Sequence, residues 1–500
     1  MVRDVFIAYF FGTSLFASAF FVAFAIPNLF RRLFGEGALS AAFVPVLIET
    51  RTQDGEKAAW KMAHRVAGLV AVLLTIISII GVLLFTIGLH VPGISEKWAT
   101  TFVLARIMFP YVLFICMAAL VMGILNACKH FATSAFAPTL LNIILIFAML
   151  ALFPFAPNNP TMHVRILAWA ALFAGVAQLA VQLPALKRQG CPLRLSTQWK
   201  DPRVKQMLWL MGPAALGMAV TQFNVLIDRL LALWIGDWAP ATLFYSERLI
   251  YFPLGVIATA MATVLLPTFS THAAESDHKS MRETITHSVR HLSYIMIPAT
   301  IGLLVLAPLI LQTLFDWGGQ FNAQSTSLTV RALRFYAPGL IVFSAAKVFV
   351  PAFYALQDTK TPVKIGIWTV GINLILNIIF ILTLPTYWKH AGMAFATVLA
   401  EAVGMIALGI FLTRRIPNLD WKQTGKHLLR NLGIAFVMGL LVWSIAHFTL
   451  PALQQIFSAK IAQIGTLLLC VATGGISYLL LSKLLRCPEL TEITSALRKK

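Results

Sequence analysis

Charge is what this chain of 500 residues has least of, with Asp, Glu, Lys and Arg together making up only 12%. A soluble domain carries about twice that share, so the chain cannot cover its surface with ionised groups. Cysteine is sparser still, with five residues in the chain. Cys116, Cys128, Cys191, Cys470 and Cys487 are scattered without a C-x-x-C pair, which leaves no disulfide framework and no metal-binding spacing. Catalytic signatures are missing as well: there is no H-E-x-x-H, no G-x-S-x-G, no Walker loop and no carboxylate pair placed for acid–base work. No residue is therefore assigned a catalytic role, and the chain is not read as an enzyme. Without a P-loop, any transport is driven by a gradient, a potential or a partner.

Apolar residues fill the space that charge leaves. They make up 59% of the chain, and the mean hydropathy is +0.82. They gather into runs long enough to cross about 30 Å of hydrocarbon as helix. A membrane barrel would need short alternating segments with polar lumen positions, and these runs are apolar on every face. The expected fold class is all-α, a polytopic transmembrane helix bundle.

Clear spans run through residues 66–89, 102–125, 135–153, 166–183, 207–235, 243–269, 291–315, 328–356, 362–384, 391–412, 428–448 and 461–481. The region from Val5 to Ile48 holds one more full helix with an apolar piece before it. That makes about thirteen full spans and a fragment, or about fourteen helices with the first truncated. Val5 to Phe11 is too short to span, and no cleavable signal precedes it, so either half of the first helix is missing or the start codon lies downstream of the real one.

The net charge of +20 would suggest nucleic acid in a soluble protein. Here the cations sit in short connectors and form no basic face, so no nucleic acid partner is expected. Arg51 to Arg65, Lys129, Lys187 to Lys205, Lys279 to Arg290, Lys360, Lys364, Arg414 to Arg430 and the tail ending Arg498, Lys499, Lys500 fall on one side. The other side offers little beyond Lys97, Arg165, Lys389 and Lys460. Roughly six in seven loop cations share a side, which predicts that this side, with the C-terminus, is cytoplasmic.

Two short patterns recur. Phe43-Val-Pro45 is echoed by Leu265-Leu-Pro267, each read as closing an apolar run before a charged loop. Asn126-Ala-Cys-Lys-His-Phe-Ala-Thr133 is echoed by Tyr354-Ala-Leu-Gln-Asp-Thr-Lys-Thr361, each a loop ahead of an Asn-bearing helix. Both pairs are offset by roughly 220 residues, near half the chain, as in transporters built from two repeats with the substrate path between them.

Ionisable groups inside the spans carry the functional signal, because an Arg at mid-helix costs about 2.5 to 3.5 kcal/mol by insertion scales. Arg106, Arg331 and Arg334 lie near helix starts and can snorkel. Lys347 stands within a span, and Arg32 and Glu36, four apart, can neutralise each other. Arg229 follows Asp228 directly, so the two cannot face each other on one helix. Arg31 and Arg248 occupy equivalent places in the two halves. Two readings stay open for them: an internal anion site suited to phosphate, with Arg32 and Glu247 as neighbours, or interhelical ion pairs. Asp228, Asn373, Asn377 and Thr397 form a second, polar set. They are either hard oxygen ligands for Na⁺ or interhelical hydrogen bonds.

The run from Phe20 to Pro45, FFVAFAIPNLFRRLFGEGALSAAFVP, strongly resembles the second-helix signature of the MurJ/MviN lipid II flippases. So do Phe136-Ala-Pro-Thr-Leu-Leu-Asn142, Tyr245-Ser-Glu-Arg-Leu249 with Phe252-Pro253, and Gln357-Asp-Thr-Lys-Thr-Pro-Val-Lys364. The resemblance covers essentially the whole chain. It implies the multidrug/oligosaccharidyl-lipid/polysaccharide exporter fold, with two pseudo-symmetric lobes around a central cavity. Residues 1–190 would form the N-terminal lobe and 191–415 the C-terminal lobe. Residues 416–500 would supply two further helices bordering a groove for the polyprenyl tail.

By the same resemblance, Arg3, Arg31 and Arg248 match the cations implicated in holding the lipid II pyrophosphate, and Asp4 pairs with Arg3. Asp228, Asn373, Asn377 and Thr397 match a sodium site in some members, so Na⁺ is the one cofactor candidate. Two positions depart: Ser18 stands where the family is acidic, and Asn377 where a sodium-binding member has a carboxylate. Expected partners are lipid II, membrane lipids and the cell-wall synthesis machinery, at the bacterial cytoplasmic membrane. The implied function is a flippase moving lipid II from the inner to the outer leaflet by alternating access. The alternatives are a cation-coupled exporter of drugs or lipid-linked oligosaccharides and a membrane-embedded glycosyltransferase. A drug exporter favours acidic and aromatic cavity residues, and a glycosyltransferase a carboxylate in a large external loop, whereas every external loop here is short.

Overall fold

The computed structural model describes residues 1–33, 39–198 and 201–498. Among them every regular element is helical. In chain order these are α1 (Val2–Phe11), α2 (Leu15–Phe30), α3 (Leu39–Gln53), α4 (Glu56–Leu89), α5 (Glu96–Met108), α6 (Tyr111–Ala127), α7 (Ala132–Phe136) and α8 (Thr139–Phe147). There follow α9 (Pro160–Ala180), α10 (Leu183–Arg188), α11 (Pro202–Ile235), α12 (Ala239–Pro253), α13 (Ala260–Ala274), α14 (His278–Phe315), α15 (Ala323–Tyr336) and α16 (Gly339–Ala355). The last are α17 (Lys360–Thr383), α18 (Thr386–Arg415), α19 (Trp421–Gln454), α20 (Ala459–Leu484) and α21 (Pro488–Arg498).

Nine of the described helical segments are long and apolar enough to cross a membrane, and eleven when the bent pairs α5–α6 and α15–α16 each count as one span. With α11, the broken segment from Ala132 to Phe155 and the short α1, the expected count of about fourteen helices is met. Their outer faces are apolar. On α4, Ile76, Ile80, Leu83 and Ile87 are each at least half exposed and repeat at helical spacing, the stripe that hydrocarbon would cover.

Several spans read as continuous are interrupted, and proline accounts for most of the breaks. α5 and α6 meet at Pro110 with a 43° bend, and α15 and α16 at Pro338 with a 42° bend. A ring without an N–H removes one rung of the ladder and crowds the preceding turn. α12 ends at Pro253 and passes through a π-helical stretch, Leu254–Thr259, into α13. α2 holds Pro27 and likewise widens into a π turn at residues 31–33. Pro45 and Pro267 do not lie in loops as expected. They sit inside α3 and α13, which run on to Gln53 and Ala274, because the charged residues beyond them continue the helix as its exposed end.

The internal echo is visible in the backbone. Lys129 and Gln357, fourth in their matching loops, both have φ of 59°. The next N–H closes the same helix cap in each: His130 donates to Leu125 O and Asp358 to Phe353 O, both at 2.9 Å. The two proline bends also fall at equivalent places.

By their contacts the residues separate into two compact units, Met1–Ile7 with Thr13–Ala241, and Ala8–Gly12 with Thr242–Lys500. In the first unit α3, α4 and α6 enclose a core of Phe43, Leu47, Met62, Val66, Leu74, Tyr111 and Val112, and α11 packs against α2 and α3. In the second, α17 lies along α18, while α19 and α20 pack on α14 around Tyr294, Ile297, Met438 and Tyr478. The end of α1 docks into this second unit. Gln320 donates its N–H to Tyr9 O at 2.8 Å, and the buried Tyr245 hydroxyl donates to Gly12 O at 3.0 Å. Two glycines permit the approach. A Cβ on Gly12 would lie 2.3 Å from Gln320 O, and one on Gly319 2.2 Å from Tyr9 O.

Candidate anion site and polar seam

In the first unit, α1 presents Arg3 beside a buried Asp4, with Arg3 Nη2 2.6 Å and Nε 2.9 Å from Asp4 Oδ1. Arg31 follows the last turn of α2. Its Nε donates to Asn28 Oδ1 at 2.8 Å, three residues back on the same face. Arg32 Nη1 reaches the amide oxygen of Gln222 on α11 at 3.4 Å. Glu36, its expected partner, lies outside the described residues, as do Lys499 and Lys500 of the basic tail. Asp228 is half-buried on α11, and the adjacent Arg229 is buried with Nη1 3.5 Å from Pro240 O. Ser18, at the family's acidic position, is fully buried and accepts the Ala241 N–H at 3.2 Å.

In the second unit, Glu247 and Arg248 diverge from α12, as adjacency requires. Glu247 accepts the Tyr336 hydroxyl at 3.2 Å, and the Arg248 guanidinium lies over the Phe244 ring, 4.6 Å from its centroid. Asn373, Asn377 and Thr397 come together as a chain. Asn377 Nδ2 donates to Asn373 Oδ1 at 2.9 Å, and Asn373 Nδ2 donates to Thr397 Oγ1 at 3.2 Å. Both asparagines are essentially fully buried, and the seam ties α17 to α18. Asp228, expected in the same set, belongs to the first unit. Among the described residues no three His, Cys, Asp or Glu side chains gather as a metal cluster.

Three arrangements escaped the sequence. Lys347 on α16 acts electrostatically on Glu401 of α18, a carboxylate that its mid-span position should have flagged. Arg331, expected to snorkel, stacks on two aromatic rings, 3.3 Å from the Tyr387 centroid and 5.0 Å from that of Trp388. The largest omission is α21. Its Glu489 is fully buried and takes Arg290 Nε at 3.1 Å, Arg430 Nη2 at 2.5 Å and His427 Nδ1 at 3.0 Å. Glu492 adds His291 at 2.9 Å and His287 at 3.2 Å. Burial alone would raise the Glu489 carboxyl, but its own backbone amide, Arg430 and Arg290 outweigh it and hold the group below the usual carboxylate range. The Pro488 start and the leucine spacing that follows were the available signals.

Asp358, within the motif from Gln357 to Lys364, works as a helix cap. It accepts the Thr361 N–H at 3.0 Å and hydroxyl at 2.9 Å, and Arg415 Nη2 at 2.9 Å. Burial is the largest single influence and pushes its carboxyl up, but the two Thr361 donors and Arg415 together outweigh it and hold the group low.

Comparison with known proteins agrees with this architecture. The family described as "Lipid II flippase MurJ" matches residues 7–463. A "Lipid II flippase MurJ" of Burkholderia cenocepacia is 33% identical over 466 residues, 90% of this chain and 87% of that one. A "Probable lipid II flippase MurJ" of Vibrio cholerae serotype O1 is 35% identical over 459 residues, covering 89% and 86%. Among solved structures, "Lipid II flippase MurJ, inward closed conformation" superimposes with a TM-score of 0.77 at 23% identity, over 97% of this chain and 95% of that one. An inward-facing multidrug resistance MATE transporter follows at 0.69 and 14% identity, over 84% and 94%. On a family match that runs through nearly every helix, and on relatives above 30% identity along their length, the chain belongs to the MurJ family of lipid II flippases.

Proposed function

We propose that this protein is a lipid II flippase of the bacterial cytoplasmic membrane. It takes the undecaprenyl-pyrophosphate-linked head group from the inner leaflet and releases it in the outer one. The observation that carries this reading is kinship along residues 7–463 with proteins named for that activity. No bond is broken. The work is to carry a polar, anionic head through a medium that penalises it by many kcal/mol.

Arg3, Arg31 and Arg248 supply the countercharge to the pyrophosphate, and the polyprenyl tail stays in lipid. Planar two-pronged guanidinium donors suit phosphate oxygens, and all three lie on helices of a lipid-embedded bundle. The seam of Asn373, Asn377 and Thr397, with Asp228, is the proposed Na⁺ site; oxygen ligands of this kind suit a hard cation. The one-sided loop cations support a cytoplasmic C-terminus. Proteins that build the cell wall from the delivered lipid are the natural partners.

Complementation tests the reading. A strain depleted of its own lipid II flippase expresses the wild type, Arg31→Ala or Arg248→Ala at equal membrane levels. Growth with the wild type and lysis with either variant is the expected result. Growth with all three would keep the flippase and remove the anion site. Lysis with a well-inserted wild type would favour an exporter of the same superfold.

A further inference from the structure

Beneath the ion pairs that dock α21 lies a second polar layer. Arg290 and Tyr294 are four apart on α14, and His427 and Asn431 four apart on α19, so each second residue sits one turn further into the bundle. The helix register brings the deeper pair together. A Cβ on Gly439 of α19 would lie 2.5 Å from Ile301 Cγ2 of α14, while Arg290 and Arg430 share the Glu489 carboxylate. The two helices therefore run parallel, and Tyr294, two turns before Ile301, is level with Asn431. Met438 and Val442 of α19 flank Gly474 of the antiparallel α20, so Asn431, two turns before Met438, stands at the height of Ser482, about two turns beyond Gly474. The Ser482 hydroxyl lies beside that of Tyr294. Asn431 and Ser482 are fully buried, and Tyr294 nearly so. Yet among the described residues neither the amide oxygen nor the amide nitrogen of Asn431 has a hydrogen-bond partner.

A buried amide without partners is heavily penalised, and folded proteins satisfy such groups with their own atoms or with ordered water. We propose that Asn431, with Ser482 and Tyr294, forms a buried water-binding site between α14, α19 and α20, sealed at one end by α21. The neighbouring charges choose the ligand. Arg290 and Arg430 stand close by in the layer above and repel a metal cation. An anion is repelled in turn by Glu489, which already engages both arginines. What remains is a small neutral molecule that donates and accepts at once, as the amide requires, and water does both. Small side chains dominate the layer: Ala435, one turn along α19, then Ser482 and Cys487. Below it the joint turns apolar, with Ile297, Met438 and Tyr478 in the core. Above it α21 forms the cover, because Glu489 draws Arg290 and Arg430 together and Leu490 packs on the same core.

Radiolytic hydroxyl labelling reads bound water directly, because X-rays split water held beside a side chain even where bulk solvent is excluded. The full chain is irradiated in detergent as wild type, Asn431→Leu, Ser482→Ala and Glu489→Gln, and modification of Tyr294 is quantified by mass spectrometry. Wild-type Tyr294 should be modified readily despite its burial. Asn431→Leu, which keeps the volume and discards both polar atoms, should lower the rate about tenfold. Ser482→Ala is the gentler change for the same test and should lower it about threefold. Glu489→Gln loosens the cover and should raise the rate about threefold by admitting bulk solvent. A wild-type Tyr294 that stays unmodified would mean a dry layer and overturn the proposal, and Asn431→Leu would then raise the unfolding temperature by removing an unpaired amide. Equal modification in wild type, Asn431→Leu and Ser482→Ala would put the water elsewhere and overturn it too. A wild-type rate in Glu489→Gln would strike out the seal by α21.

Discussion

A guanidinium inside a membrane span is tolerated when something answers its charge, and the kind of answer differs from one arginine to the next. Arg3 is paired with the Asp4 carboxylate, while the contacts of Arg248 include the Phe244 ring and those of Arg31 the Asn28 amide. Substitution by Lys keeps the charge but discards the planar fork. Arg31→Lys should therefore retain partial flipping of fluorescent lipid II in proteoliposomes, lower by about tenfold, while Arg31→Ala abolishes it. Equal rates for the Lys variant and wild type would show that fork geometry is irrelevant there. Gly12 sets a different constraint. With φ of +56° and the Gln320 carbonyl where a Cβ would go, Gly12→Ala should destabilise by at least about 2 kcal/mol. Thermal unfolding in detergent reads this directly, and an unchanged melting temperature would mean that the Asp316–Phe321 segment yields easily.

Helices that bend at proline behave differently from those tied down at their ends. At Pro110 and Pro338 one backbone bond is already absent, so a change of angle there breaks nothing further. α21 is the opposite case. Its Glu489 meets Arg290 of α14 and His427 and Arg430 of α19, while Glu492 meets His287 and His291 of α14. A carboxyl held below its ordinary 4.5 lends stability that is fully present above that pH and is lost as pH falls through its folded value. Amides of α21 should thus hold their protection above pH 4.5 and lose it progressively as pH falls below that, after correction for intrinsic exchange. Glu489→Gln should already lack about 2 kcal/mol of that protection at neutral pH and show little further acid sensitivity. Protection in the variant equal to wild type would mean that apolar contacts alone dock the helix.

For the molecule as a whole, one-sided loop charge makes a prediction about orientation. A green fluorescent protein fused after Lys500 should fluoresce and an alkaline phosphatase fused there should stay inactive; the reverse would overturn the cytoplasmic C-terminus. Span positions were legible because hydrocarbon length and loop charge are written locally in the chain. The breaks at Pro110, Pro253 and Pro338 were less so, since proline within a span is common and only neighbouring helices decide whether it bends. Placing Arg31 and Arg248 within helices needed only hydropathy. Their contacts with Asn28 and Phe244 needed side-chain directions that spacing alone does not give. The asparagine seam was foreseen as a set on one helix face, but its join to Thr397 depends on how α17 meets α18.

The clasp on α21 also has a consequence in time. Arg290 and Glu489 are 199 residues apart in the chain, so the ribosome makes α14 long before the carboxylate that neutralises it. Through the synthesis of α15 to α20, Arg290 has no Glu489 to meet. α14, α19 and α20 can pack through their own apolar core beforehand, so the joint made by Glu489 is the last of this bundle to close in the order of synthesis.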